Sequence, residues 1–307
     1  MLVVFGPTGE AGRQGAGRGG RSNARRATEG HEMADSEPRT IVITGASSGI
    51  GKATARLFLE KGWNVVATMR SPAAEKDLKE QARLKLVALD VQDPEGPRAA
   101  VAEAIRAYGR IDVWVNNAGY GALGPVEAGT REEIERLFDV NVFGLIACVQ
   151  SVAPHFRERK AGVLINVSSV GGVMTVPAYS VYNATKFAVE GLSEGLWHEL
   201  GTFGIKVKVI EPGAIRTDFG GRSLDVWDVS RVPDYAPFMD KVKAARARYI
   251  QNSSSPELVA EVIHRAATDP SDRMRYPAGA DARRFIPLRR LLGPDLSMRM
   301  IRRTFNL

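Results

Sequence analysis

Tyr182 and Lys186 stand four residues apart in Tyr182-Asn183-Ala184-Thr185-Lys186. On a helix that spacing puts both side chains on one face, a turn apart. A phenol has an unperturbed pKa of about 10 and is a poor acid and a worse base near neutrality. A fixed ammonium beside it favours the phenolate and brings it towards a working range. Such a pair can exchange a proton with a substrate oxygen. Ser169, thirteen residues upstream of Tyr182, ends the apolar run Val163–Val167 and offers a hydroxyl donor, with Ser168 as its rival. A lone pair of this kind is common, and a solvated helix face satisfies it equally well. It gains weight from Thr44-Gly45-Ala46-Ser47-Ser48-Gly49-Ile50-Gly51 and Asn116-Asn117-Ala118-Gly119, which precede it in that order.

These residues need elements to hold them. From Thr40 onward apolar β-branched runs alternate with helical patterns. Strands are expected at 41–43, 65–68, 84–89, 111–115, 163–167 and 207–210. Helices are expected at 50–61, about 94–108, 132–156 and from Tyr182 to about Leu200. Continuous apolar strands separated by helices indicate a parallel sheet covered on both faces. The expected fold is α/β, one doubly wound domain. The Gly45–Gly51 loop follows a strand and opens a helix. Glycines there let the backbone approach a pyrophosphate, and the helix N-terminus favours its charge. A tight strand–helix turn without a ligand would use the same residues.

The four motifs together resemble the short-chain dehydrogenase/reductase family, over about Arg39 to Thr217. The resemblance implies a catalytic set of Asn141, Ser169, Tyr182 and Lys186, the thirteen-residue offset selecting Ser169 over Ser168. Tyr182 would give its proton to a carbonyl oxygen while a nicotinamide delivers hydride to carbon. Lys186 would lower the phenol pKa and hold the ribose hydroxyls. Asn141 lies mid-helix, where asparagine is mildly unfavourable, and a local irregularity holding a relay water would explain it. The implied nucleotide contacts are Gly45, Ser47, Ser48, Gly49, Ile50 and Gly51 for the phosphates, and Asp90 and Val91 for adenine. Asn117, Ala118 and Gly119 would line the crevice, and Pro212, Gly213 and Thr217 would close over the nicotinamide. Asn116 suits either the crevice or a bond between strands.

An acidic residue at the end of the second strand would accept hydrogen bonds from a ribose and repel a 2′-phosphate. Met69 holds that position and Arg70 follows. A guanidinium suits a phosphate dianion. NADP(H) is therefore favoured, with NAD(H) left open. Gly119–Pro125 and Val173–Pro177 resemble the hydroxysteroid and retinol dehydrogenase branch. Trp227, Tyr235, Phe238 and Met239 fall in an irregular segment, about 214–255, expected as a lid over the cleft. The pocket is expected to be apolar and to take a hydrophobic ketone, aldehyde or alcohol. A nucleotide sensor without turnover, or an epimerase or dehydratase on the same fold, are the competing readings. His155 and His198 lack carboxylate partners at useful spacing and read as surface helix residues.

Composition limits the alternatives. The chain has 307 residues, 44% hydrophobic and 25% charged, with one cysteine. Cys148 alone makes no internal disulfide or metal cluster, so no metal is expected and the cytoplasm suits the chain. No apolar run reaches the ~18 residues of a membrane span. Of the net charge of +7, most sits in residues 271–307, with nine Arg against three Asp. A nearly neutral body argues against a nucleic-acid partner. Residues 1–38, rich in Gly, Arg, Ser and Glu, are expected to be disordered. Gly6–Gly12 mimics a dinucleotide loop, but the glycine-rich run after it is a poor helix former. Residues 39–286 form the expected oxidoreductase domain. Residues 287–307 carry Leu288, Leu291, Leu292, Leu296, Met300 and Ile301 between arginines, broken at Gly293-Pro294. Such a tail suits an anionic membrane or a cover over the cleft, and the break favours the cover. The resemblance also implies a homo-oligomer, a dimer or tetramer.

Overall fold

A strand flanked by helices on both sides has no solvent face, so both of its side-chain rows must be apolar. Thr40–Ile43 (β1), Asn64–Met69 (β2), Val113–Asn116 (β4) and Val163–Val167 (β6) meet that demand, with nearly every residue buried. In the computed structural model, which describes residues 37–216, 223–251 and 253–307, they join Leu84–Ala88 (β3), Lys206–Pro212 (β7) and Arg275–Ala278 (β9) in one parallel sheet. Its order is β3-β2-β1-β4-β6-β7-β9. Gly121–Leu123 (β5) and Leu224–Val226 (β8) form a separate short parallel pair. Thr217 and residues 1–36 lie outside the described residues.

Alternation along β1 feeds two cores. Ile41 and Ile43 pack with Ala55 and Phe58 of Gly49–Glu60 (α1) and with Val259, Val262 and Ile263. Val42 faces the other side, with Ala100 and Val101 of Gly96–Tyr108 (α2). Each such side chain contributes about 1.5–3 kcal/mol when fully buried. This is a doubly wound α/β fold in one domain. The strand order reverses between β1 and β4, which opens a crevice at their carboxyl ends.

A helical path runs from Arg131–Phe138 (α3) through Asp139–Phe143 to Gly144–Arg159 (α4). Thr130 and Glu133 close a capping box at its start. Residues 139–143 are a π-helical turn, so the single helix expected over 132–156 is interrupted at Asn141. By length and composition the 29-residue path is apolar enough to cross a membrane. Its Leu145, Cys148, Val149, Val152 and Phe156 are instead buried in the second core. Ser180–Gly201 (α5) covers the same face. Ala236–Gln251 (α6), Pro256–Thr268 (α7) and Ala280–Thr304 (α8) follow. α8 breaks at Gly293, where φ is +71° and ψ 175°.

The six strands expected from sequence are joined by a seventh, β9. Arg275 and Pro277 interrupt the apolar pattern that marks the other strands. Its place at the sheet edge tolerates the proline. Arg275 serves the charges of β7 and α5. Its Nε lies 3.2 Å from Glu190 and 3.5 Å from Glu211, and its Nη2 donates to Glu194 at 2.5 Å. Glu211 is fully buried, and neither carboxylate oxygen has a hydrogen-bond partner among the described residues. Desolvation, then the nearby Glu190, pushes its pKa up to about 7. A raised folded pKa stabilises the fold below the unfolded value of about 4.5, and that gain is lost as pH rises through 7. Glu211→Gln removes this penalty. The melting temperature of the variant relative to the parent should rise between pH 5 and pH 8, by a margin equivalent to up to about 3 kcal/mol. Parallel melting curves at the two pH values would contradict a buried, titrating Glu211.

Candidate active site

The loop after β1 is held from behind. Thr44 Oγ1 accepts from the backbone N–H groups of Asn117 and Ala118 at 3.0 and 2.9 Å. Asn117 Nδ2 donates to the carbonyls of Thr44 and Gly45 at 2.8 and 3.1 Å. Gly45 sits at φ +68°, a conformation that favours glycine. At Gly51 a Cβ would press on the Gly45 carbonyl oxygen and stand 2.6 Å from Asn117 Nδ2. The helix cap residue Ser48 makes no side-chain bond to α1, and no acidic residue occupies the first turn. Amides and hydroxyls of this turn are thus offered to the cavity rather than to the helix, which fits a pyrophosphate.

That cavity measures about 880 Å³. Gly45, Ser47, Ser48, Gly49 and Ile50 line one end, with Met69, Arg70, Asp90 and Val91 beyond. Asn117, Ala118, Gly119, Pro212 and Gly213 line its middle. Gly51 packs behind the loop instead of lining it. Asn116 is buried between strands, accepting from Trp114 Nε1 at 2.8 Å and donating to Asn166 Oδ1 at 2.9 Å. Of its two readings, the bond between strands is the one the structure shows.

Ser169, Tyr182 and Lys186 line the same cavity. Ser169 Oγ accepts the Gly171 N–H at 3.0 Å, and its hydroxyl acts on the Tyr182 phenol beside it. Lys186 is buried and donates from Nζ to the Val167 carbonyl at 3.0 Å, and Nζ stands 5.8 Å from the Tyr182 ring centroid. Desolvation pulls Lys186 down to about 8, against the charge of Glu190. Burial also dominates Tyr182, pushing it up to about 12, with the Ser169 hydrogen bond pulling the other way. The expected lowering of the phenol by Lys186 is therefore corrected in this structure. The lysine is itself desolvated and spends a proton on Val167. Ser168 turns away and sits beside Glu190.

Asn141 lies in the π-helical turn and is buried. Its amide is taken up by protein. Oδ1 accepts from the Tyr120 N–H at 3.0 Å, and Nδ2 donates to the Tyr120 carbonyl at 2.8 Å and to Thr185 Oγ1 at 3.1 Å. Thr185 in turn donates to the Tyr182 carbonyl at 2.7 Å. Asn141 thus ties the strand-four loop to the helix carrying Tyr182 and Lys186.

Several lining residues had no sequence signal, because they come from distant segments. Tyr179 is the exception, three residues before Tyr182, with ring centroids 6.1 Å apart. Arg246, Tyr249 and Ile250 come from α6. Asp281, Leu288, Leu292, Met300 and Ile301 come from α8, so this tail lies along the cavity. Asp281 accepts the Ala214 N–H at 2.7 Å, and a Cβ at Gly213 would collide with its carboxylate. The four expected lid residues do not line the cavity. Trp227 is buried with Ala122, Ala128 and Leu137, and Met239 and Phe238 pack with Leu123 and Ala178. Tyr235 donates to Glu127 at 2.7 Å. Within the segment expected as a lid, Arg246, Tyr249 and Ile250 border the cavity instead. His155 is half-buried and accepts the Ile111 N–H at 3.1 Å, while His198 is exposed.

A family model described as short chain dehydrogenase matches residues 39–225. An uncharacterized oxidoreductase of Schizosaccharomyces pombe is 40% identical over 216 residues, 69% of this chain and 88% of the relative. Mouse 17-beta-hydroxysteroid dehydrogenase type 1 is 36% identical over 279 residues, 85% of this chain and 78% of that enzyme. The crystal structure of a short-chain dehydrogenase from Streptomyces avermitilis superposes with a TM-score of 0.73 at 33% identity, covering 88% of this chain and 97% of that one. The chain belongs to the short-chain dehydrogenase family, near its hydroxysteroid dehydrogenase branch, and is an oxidoreductase.

The tight seat of Gly51 makes a sharp test of the loop. Gly51→Ala should lower stability by about 1–3 kcal/mol and weaken nucleotide binding. Gly191→Ala, at an exposed α5 position with nothing within 4 Å of the new Cβ, should instead stabilise by about 0.5–1 kcal/mol. Melting curves and nucleotide titrations of the two variants would separate loop packing from general glycine effects; equal behaviour would refute it.

Proposed function

We propose that the protein interconverts a hydrophobic ketone or aldehyde and the corresponding alcohol with NADP(H). The observation that carries this reading is that Tyr182 and Ser169 line one cavity together with the Gly45–Ile50 loop. A bound nicotinamide would supply or accept the hydride. In reduction, Tyr182 Oη gives its proton to the substrate oxygen, and Ser169 donates a hydrogen bond to the same oxygen as charge develops. In oxidation Tyr182 runs as the base and takes the alcohol proton, while Ser169 still donates to the same oxygen. Lys186, held by Val167, keeps a positive charge behind the phenol and can reach ribose hydroxyls. Asn141 acts as a positioning residue, since its amide is engaged by Tyr120 and Thr185.

Support for NADP(H) lies at the end of β2. Met69 is buried, and the exposed Arg70 lines the cavity rim with no acidic residue at that strand end. Thr217 completes the set proposed to close over the nicotinamide. Large apolar side chains exposed on the long helical elements, Phe143, Phe187 and Trp197, support self-association into a dimer or tetramer. A single free, buried thiol suits a cytoplasmic setting.

Tyr182→Phe should reduce turnover by roughly 10²–10⁴-fold while nucleotide binding, followed by NADPH fluorescence, stays within a few-fold of the parent. Retention of more than a few per cent of the activity would remove Tyr182 from the mechanism. Arg70→Asp should shift the ratio of kcat/KM for NADPH over NADH towards NADH by roughly 10–100-fold. An unchanged ratio would make Arg70 a plain surface residue.

A further inference from the structure

Arg246 is the feature of the cavity that the proposed reaction leaves unused. It projects from α6 into the substrate side, half-buried, beside Tyr179. Its Nε donates to the Tyr179 hydroxyl at 3.1 Å. Among the described residues no carboxylate lies within ion-pair distance of it. The carboxylates that line the same cavity are engaged elsewhere. Asp225 pairs with Arg136 at 2.6 Å, Asp281 accepts from Ala214, and Asp90 accepts from the Gln92 N–H at 3.1 Å. Tyr179, the partner of Arg246, packs in one apolar cluster with Val176, Ile301 and Phe305, which line the same cavity.

A guanidinium carries five N–H donors in a rigid fork, and here one meets a neutral phenol. Partial removal from water without an opposite charge is unfavourable. The terminal nitrogens are the part of the fork that matches a carboxylate in two parallel hydrogen bonds. The separation is short as well. Tyr179 stands 6.1 Å from Tyr182, ring to ring, and Arg246 is one hydrogen bond beyond the Tyr179 hydroxyl. One medium-sized molecule spans from the reacting oxygen at Tyr182 to Arg246.

We propose that the substrate is amphipathic, a carbonyl compound or alcohol with an apolar body that ends in a carboxylate, and that Arg246 binds this carboxylate. The proposal rests on the reading of Tyr182 as the proton donor to a substrate oxygen. It adds that Arg246 selects among substrates and takes no part in the chemistry. Tyr179 is the positioning residue that holds the guanidinium across the cavity. A merely structural Arg246 would brace Tyr179 and be indifferent to substrate charge.

The test uses the full chain with saturating NADPH, and compares medium-chain keto carboxylic acids with their methyl esters. The parent should prefer the acid by roughly 10–100-fold in kcat/KM, expressed mainly in KM. Arg246→Gln should abolish that preference, bringing kcat/KM for the acid down to that for the ester. Arg246→Lys, which keeps the charge but not the fork, should retain part of it. Calorimetric titration with decanoate in the presence of NADP gives a readout without turnover. Binding by the parent that is lost in Arg246→Gln, at equal melting temperature, supports the site. Ester turned over as well as acid, or decanoate binding that survives the substitution, overturns it. Failure of every ketone and alcohol to react would instead sink the oxidoreductase reading of substrate and cofactor, while the titration still decides the anion site.

Discussion

The hydrogen bond from Lys186 Nζ to the Val167 carbonyl fixes the rest of the site. It joins the middle of α5 to the carboxyl end of β6, where Ser168 and Ser169 leave the strand. A buried ammonium can be tolerated only with partners, so the register of α5 against the sheet is not free to drift. Once that register is set, Tyr182 lies one turn back, within reach of Ser169, and Thr185 faces Asn141. The π-helical turn at 139–143 then has a reason. It inserts an extra residue's worth of helix and turns the Asn141 amide towards both Tyr120 and Thr185. Four separate segments of the chain are locked by four polar contacts.

Behind this site runs a second layer of charge. Glu190 is one turn beyond Lys186 on α5 and faces Arg275, which also holds Glu194 and approaches Glu211. The lysine end and the arginine end of this row share Glu190 between them. Removal of a single charge therefore changes the environment of its neighbours, as expected for buried polar groups at low local dielectric. At the opposite wall, Asp281 connects the first turn of α8 to the loop after β7 through Ala214. The helix that borders the cavity and the loop proposed to close over the nicotinamide thus share an anchor.

What the sequence made legible is what is local. Tyr182 and Lys186 occupy one face of one helix, and the Gly45–Gly51 turn shows its glycine spacing within seven residues. The strands of the sheet centre announce themselves because burial on both faces demands unbroken apolar runs. Arg275–Ala278 escaped notice because an edge strand need not be apolar throughout and tolerates proline. The apolar residues near Trp227 were read as a lid because hydrophobicity alone does not say which apolar surface will receive them. The arginines and leucines of the tail carried two readings, and only the path of the chain brings Leu288, Leu292 and Met300 to the cavity. The pKa of Tyr182 was misjudged for a different reason. Helical spacing reports that a charge is near, but not that both groups are desolvated together.

Cys148 sits on α4 with no solvent exposure, its thiol pushed up to about 12 by burial. It is the only sulfhydryl in 307 residues. A thiolate, not a thiol, attacks electrophilic reagents, so alkylation must wait until α4 lifts from the sheet. Because this helix belongs to the central core, that event is a large-scale opening rather than fraying at an end. The molecule therefore contains a native clock: the rate at which an added alkylating agent consumes its one sulfhydryl counts how often the core comes apart, with no engineered label.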